Sequence, residues 1–344
     1  MKLKELCSCL EEWAPLAYQE SYDNSGLILG DDSVELTGVL VSLDCVEDVV
    51  DEAIARGCNL IVSHHPIVFK GLKSLTGKSY VERTLLKAIK NDIALYAIHT
   101  NLDNIHTGVN KMLADKIGLV NTQVLAPKKE LIKQLVTYVP TLNAEFVRNE
   151  LFKIGAGAFA EYSESSFSVS GNGTFKGSEN SNPVLGKKGI REEPIEERIE
   201  IVFPAFMESL VLSTLKKYHP YEEVAYSVFT IDNENKNIGS GMIAELLEPQ
   251  NPLDFLKLLK KNLKADGIRY TSVVNKQIKK VAICGGSGSF LLQAAIRSGA
   301  DIFITGDFKY HEFFDAENKI LIADVGHYES EQYTKDLIAD FLSE

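Results

Sequence analysis

Short apolar runs alternate with stretches of helical period along the first hundred residues. Residues 39–43, 60–63 and 93–98 are largely apolar runs too short for helices, and they read as buried strands. Between them, residues 46–55 (stopped by Gly57) and 80–91 repeat their apolar positions every three to four residues, as do residues 3–13. Strand–helix–strand alternation of this kind predicts an α/β layer with largely parallel strands. From about residue 131 the pattern changes. Strands are expected at 134–139, 198–203 and 224–230, and helices at 144–154 and 204–218. A Ser/Gly/Asn-rich stretch at 163–189 suggests hairpin turns and a mobile loop. The resulting order, β-α-β-β-β-α-β, suggests a small ferredoxin-like inserted α+β domain. The α/β pattern then returns, with strands at 278–284, 301–305 and 320–323, helices at 290–298 and 331–342, and a glycine-rich turn at 285–289. The predicted organisation is one split α/β domain, residues 1–130 and 235–344, interrupted by an insert at 131–234.

Three polar motifs fall at the ends of these strands. Ser63-His64-His65-Pro66 follows the second strand; Pro66 cannot extend a central strand, so the chain turns there and both rings can face one crevice. That sheet edge is where open α/β folds bind ligands. His99-Thr100-Asn101-Leu102-Asp103 follows the next strand. Asp103 is a sound hard ligand, and His99 is a ligand, an outer partner or a proton carrier; equally, Asn101 and Asp103 suit a plain turn. His327 and Glu331 are spaced i, i+4, so a helix starting after Gly326 puts them on one face. Two or three histidines with two carboxylates can hold two ions if a carboxylate bridges them. A set without cysteine favours zinc, iron(II) or manganese with an open position.

Other polar stretches are less specific. Cys284-Gly285-Gly286-Ser287-Gly288-Ser289 is either a tight strand-to-helix turn or an anion cradle, and no Gly-Lys-Ser/Thr follows to make it a Walker loop. His311 and Glu312 line a pocket or begin a helix; His106 has no assigned role, and His219-Pro220-Tyr221-Glu222 reads as a turn.

Composition narrows the class further. With 344 residues, 45% hydrophobic and 24% charged, the chain is an ordinary globular protein of two or three domains. A net charge of −12 disfavours a purely electrostatic nucleic-acid binder. The first residues carry acids and no long apolar run, so no signal peptide is expected. No run approaches the length of a membrane span. The cysteines at 7, 9, 45, 58 and 284 are odd in number and irregularly spaced, which suits a reduced, cytoplasmic protein.

The same motifs, taken in order with Gly306-Asp307-Phe308-Lys309-Tyr310-His311 and the early Asp23-Asn24-Ser25-Gly26-Leu27, carry a resemblance over essentially the whole chain. The chain resembles the NGG-interacting-factor-like family, often labelled GTP cyclohydrolase 1 type 2 homologue. Residues 131–234 are similar to PII and CutA folds through Val139-Pro140, Gly155-Ala156-Gly157, Gly171-Asn172-Gly173-Thr174-Phe175 and His219-Pro220-Tyr221-Glu222. The resemblance implies a dinuclear centre built from His64, His65, Asp103, His327 and Glu331, with Glu331 as bridge and two divalent metal ions per subunit. It implies a toroidal homohexamer whose sites face an internal cavity, capped by the inserts, and a small-molecule ligand for which a nucleotide is the candidate. The leading function is metal-dependent hydrolysis, with GTP the candidate substrate by resemblance and His99 as the catalytic proton carrier. A two-metal phosphoesterase and a non-catalytic metal-binding regulatory or scaffold oligomer are the alternatives.

Overall fold

A computed structural model describes residues 1–158, 162–274 and 276–343. The chain divides into two compact units, Met1–Pro127 with Lys236–Glu344, and Lys128–Asn235. The first unit opens with α1 (Leu3–Trp13), β1 (Gly26–Leu29), β2 (Val39–Ser42), α2 (Glu47–Arg56), β3 (Leu60–Ser63) and α3 (Tyr80–Lys90). It continues through β4 (Ala94–Ala97), α4 (Thr100–Asp103), α5 (Val109–Ile117) and β5 (Leu119–Pro127). The first four strands form one sheet in the order β1-β4-β3-β2, with β2, β3 and β4 parallel and β1 antiparallel at the edge. Every residue of β3 and β4 is buried, which is why they read as unbroken apolar runs. Val50 and Ala53 of α2 and Leu85 and Ala88 of α3 pack on Ile61 and Leu95. Local signals fix the helix starts: α2 carries Glu47 and Asp48 in its first turn, and the Ser79 hydroxyl accepts the Glu82 N–H ahead of α3. Because β2, β3 and β4 run in parallel, their C-terminal ends share one edge, and Asp44, His64, His65 and His99 all lie just beyond it.

The second unit contains β6 (Ile132–Pro140), α6 (Thr141–Lys153), β7 (Phe167–Asn172), β8 (Phe175–Lys176), β9 (Arg191–Glu192), β10 (Ile195–Pro204), α7 (Glu208–Tyr218) and β11 (Tyr226–Ile231). Its main sheet is antiparallel, in the order β11-β6-β10-β7, with β8 and β9 forming a short ladder between β7 and β10 in sequence. This is the strand order of a split β-α-β arrangement. Ile199, Ile201 and Phe203 alternate inward along β10 and meet Val147 and Leu151 of α6 and Val211 and Leu215 of α7.

His219, buried in this unit, gives it a pH dependence. The Tyr221 N–H donates to His219 Nδ1 at 3.1 Å, so Nδ1 accepts, and Nε2 donates to the Tyr138 carbonyl at 2.9 Å. A second proton would set two donors face to face. Burial, only partly offset by the Tyr138 carbonyl and Glu196, lowers the ring's pKa. A histidine depressed in the folded state binds its proton more readily when unfolded, so its stabilising effect is complete above about pH 6.5 and is lost as pH falls through the folded pKa. Amide exchange in β6 and α7, corrected for intrinsic rates, is therefore expected to be less protected at acid pH than at neutral pH. Equal protection at both would count against the assignment.

Chain order then returns to the first unit with β12 (Gly239–Gln250), α8 (Pro252–Asn262), β13 (Arg269–Tyr270), β14 (Ile278–Ser287), α9 (Leu292–Arg297), β15 (Ile302–Gly306), β16 (Leu321–Asp324), α10 (His327–Glu331) and α11 (Thr334–Ser343). These strands and β5 form a second sheet, β13-β16-β15-β14-β12-β5, in which β14, β15 and β16 are parallel. The first unit thus holds two sheets rather than one continuous layer, with β5 of the first half joining the strands of the second. The expected terminal helix is also divided. Gln332 and Tyr333 turn between α10 and α11 and donate to the carbonyls of Leu263 and Asn262 beyond and at the end of α8. No helix among the described residues is long and apolar enough to cross a membrane.

Candidate metal centre

Each sheet of the first unit brings a parallel triplet of strands to the same place. His64 and His65 leave β3, His99 leaves β4 and caps α4, and Asp103 ends α4. From the second sheet, β16 runs through Gly326 into α10, which carries His327 and Glu331. Glu331 Oε2 lies 3.1 Å from His65 Nε2 and 3.0 Å from His327 Nε2, and those two ring nitrogens are 3.4 Å apart. On its other side, Glu331 Oε1 is 3.8 Å from His64 Nε2, which is 3.6 Å from Asp103 Oδ1. Three groups can each hold an ion: His65 with His327 and Glu331; His64 with Asp103 and Glu331; and His64 with His65 and His99.

The four imidazoles are oriented alike. His64 Nδ1 bonds the Ile98 carbonyl at 2.8 Å, His65 Nδ1 bonds Asp44 at 2.9 Å, His99 Nδ1 bonds Asp23 at 2.8 Å, and His327 Nδ1 bonds Asp307 at 2.7 Å. An acceptor on Nδ1 fixes the tautomer that leaves Nε2 as the electron-pair donor, the arrangement typical of metal-binding histidines. Asp23 is itself saturated. It accepts from the Asn24 and Thr100 N–H groups, the Ser25 and Thr100 hydroxyls and the His99 ring. Burial works against its charge, but these bonds hold its carboxyl well below the usual range.

The donor set fits a divalent ion on geometry. Among the described residues, His64 Nε2 and Asp103 Oδ1 are buried polar atoms without a hydrogen-bond partner, although they face each other. Ligands about 2.1 Å from one ion stand about 3–3.5 Å from each other. The 3.0–3.4 Å separations among His65, His327 and Glu331 match that spacing, and the 3.6 and 3.8 Å from His64 to Asp103 and Glu331 are slightly longer. The field is suited to a cation. Burial opposes a charge on His65, yet the carboxylates of Asp44 and Glu331 push its pKa up to about 10. The Glu331 carboxylate foremost, then Asp307, pushes His327 up to about 9 against the effect of its burial. The His64 ring is raised likewise, by Asp103 and Glu331 against burial. Burial alone would raise Glu331, but the imidazoles of His327, His64 and His65 hold its carboxyl low. A cluster that draws protons this strongly draws metal ions for the same reason. Cys284 lies beside it, but burial and the nearby Asp103 and Glu331 push its thiol pKa up, so it stays protonated and is a poor ligand.

The structure brings together all of His64, His65, Asp103, His327 and Glu331, with His99 alongside. His311 instead packs on the rings of Tyr310 and Phe314, and Glu312 caps a short helix by accepting the Lys309 N–H. His106 bonds the Thr122 carbonyl. Asn101 sits in the short helix α4 rather than a plain turn, its side chain accepting the His99 N–H and donating to the Ala14 carbonyl. Gly285 and Gly286, expected in a turn, lie at the end of β14, where their N–H groups are taken by Asn110 and the Ser330 hydroxyl, so neither is open to an anion. The sequence reading missed Asp23, Asp44 and Asp307, the carboxylates that hold the rings. Asp44 and Asp307 had a visible signal, because Asp307 directly follows β15 and Asp44 comes two residues after β2, strands that end on the same edges.

Comparisons with known proteins identify the family. The family model for Duf34/NIF3 (NGG1p interacting factor 3) matches residues 1–344. A Halalkalibacterium halodurans protein named GTP cyclohydrolase 1 type 2 homolog is 39% identical over 319 residues, 92% of this chain and 86% of the relative. A Bacillus subtilis protein of the same name is 38% identical over 327 residues, 94% of this chain and 88% of the relative. The crystal structure of a Bacillus cereus protein related to NIF3 superposes with a TM-score of 0.83 at 37% identity, covering 100% of this chain and 93% of that one. The chain belongs to the Duf34/NIF3 family.

Proposed function

We propose that the chain is a metal-dependent hydrolase with a two-ion centre. His64 and Asp103 would hold one ion and His65 and His327 the other, with Glu331 belonging to both groups. The observation that carries this reading is the pair of partnerless buried atoms, His64 Nε2 and Asp103 Oδ1, beside a carboxylate whose two oxygens face different imidazoles. Leaving such atoms unsatisfied costs about 1–3 kcal/mol each, a penalty that a shared cation removes. Zinc, iron(II) and manganese all suit imidazole and carboxylate donors. When bound, such ions supply Lewis acidity. The chain's own residues do the remaining work: Asp44 and Asp307 keep two rings aimed, while His99, anchored by Asp23, carries a proton beside the ring pair.

The reaction we propose is hydrolytic opening of a purine-type ring, following the name that the relatives bear. Purified protein loaded with zinc, iron(II) or manganese should release formate from guanosine or GTP, and metal-stripped protein should not. Protein verified to hold its ions that opens neither compound rejects the reaction. His99→Ala is expected to lower turnover by about 100-fold or more with the ion content unchanged. Loss of the ions in that variant would make His99 a ligand instead. With the family resemblance we also propose a toroidal homohexamer, an insert of the PII or CutA type and a cytoplasmic location; all five cysteines are free, which suits the last. A monomer mass by light scattering would remove the hexamer.

A further inference from the structure

The centre lies in a cavity of about 400 Å³, a volume suited to a nucleobase or nucleoside. Two features of its lining bear on what enters. The first is aromatic. Tyr22, Phe69, Tyr80 and Phe290 line it, and each is at least half exposed (67%, 50%, 57% and 67%). Exposed aromatic side chains gathered around one cavity give flat faces on which a heterocycle can stack. Phe69 stands edge-on to the His99 ring, with centroids 5.6 Å apart, so a ring held there lies next to the centre.

The second feature is charge. Glu20, Asp44, Asp103 and Glu331 line the cavity, Asp23 and Asp307 stand directly behind its histidines, and no described lysine or arginine of this unit is among the lining residues. Even two divalent ions would not outweigh these six carboxylates. That leaves no surplus positive charge for a polyphosphate chain. Proteins that hold phosphates commonly surround them with arginine, lysine or free backbone N–H groups. The Gly285 and Gly286 N–H groups beside the cavity are already bonded to Asn110 and Ser330.

We propose that this site takes its substrate as an uncharged heteroaromatic ring, of nucleobase or nucleoside size, stacked on the aromatic rim, and that it excludes the polyphosphate of a nucleotide. The proposal rests on the hydrolase reading above and narrows its substrate class.

Equilibrium dialysis of the full chain, zinc-loaded and metal-stripped, against labelled guanosine and GTP at low and physiological ionic strength tests it. Zinc-loaded protein should hold guanosine at least about tenfold more tightly than GTP. Guanosine binding should not respond to salt, whereas GTP binding should improve as repulsion is screened. Phe290→Ala should weaken guanosine by about tenfold or more with zinc content unchanged. Equal or tighter binding of GTP, falling as salt rises, would show that the phosphates meet positive charge and would overturn the proposal. So would failure to retain guanosine. Failure of the hydrolase reading shows separately: protein that keeps the guanosine preference but opens no ring loses the activity and retains the ring pocket.

Discussion

Glu331→Ala is expected to strip the protein of most of its divalent metal, weakening retention by about 100-fold or more. Losing a residue that only orients a metal-binding histidine typically weakens affinity 10–100-fold, and a direct ligand sets at least the upper end of that range. Glu331 has more than one role. It belongs to both carboxylate-containing groups, with Oε2 at 3.0–3.1 Å from the His65 and His327 rings and Oε1 turned to His64. It is 2% exposed, so no solvent-borne anion easily replaces it. Removing it leaves three imidazoles near one another with Asp103 as the remaining inward carboxylate. Glu331→Gln keeps the shape and removes the charge, which separates lost coordination from lost packing. Asp307→Ala is the graded comparison: it frees the His327 ring without removing a donor, and about a tenfold loss is expected. Metal content after dialysis, by elemental analysis, reads all three. If Glu331→Ala and Glu331→Gln both retain a full load, the centre is wrongly assigned.

The sequence made the inward-facing donors legible for a local reason. His64 and His65 announce themselves because Pro66 stops the strand beside them, and His327 and Glu331 because Gly326 marks a helix start one residue earlier. Each of these signals lies within five residues of the side chain it places. The outer carboxylates carry at most a position near a strand end, as Asp44 and Asp307 do, and nothing local that names the ring each one holds. Asp23 reaches His99 across 76 residues and Asp307 reaches His327 across 20, so those pairings exist only once two strands or two loops have been brought together.

The same limit explains what was hidden in the fold. Residues 60–63 and 302–306 are buried at every position and read as strands from composition alone. The twelve-residue strand β12 does not. It opens on Gly-Ser-Gly, ends on Glu-Pro-Gln, and is recruited by its neighbours β14 and β5 rather than by its own alternation. The insert's β10, in contrast, alternates Ile199, Ile201 and Phe203 against Arg198, Glu200 and Val202. Its existence was therefore clear, although its ends extended to Ile195 and Pro204.

Gly286→Ala should combine a large loss of stability with a loss of metal, and the reason is steric. Gly286 has φ +62°, a conformation that costs an L-residue about 1–2 kcal/mol. A Cβ there would also stand 2.3 Å from Glu331 Oε1 and 3.1 Å from its Cδ. Glu331 cannot yield without breaking its contacts to His65 and His327. The turn cannot yield without breaking the Gly286 N–H bond to the Ser330 hydroxyl at 3.0 Å. Overpacking of a fixed site adds about 1–3 kcal/mol, so about 3 kcal/mol in total is expected. Gly57→Ala isolates the backbone part. Gly57 has nearly the same φ, +68°, at the end of α2, and its Cβ would meet nothing within 4 Å. Both substitutions reduce the freedom of the unfolded chain equally, so that effect cancels between them. Thermal unfolding should therefore place Gly286→Ala well below Gly57→Ala, and only the former should release metal on dialysis. Equal stability of the two variants, with metal retained in both, would mean that the glycine turn does not hold Glu331 in place. The centre's geometry would then have to come from α10 alone, a five-residue helix with no side-chain cap of its own.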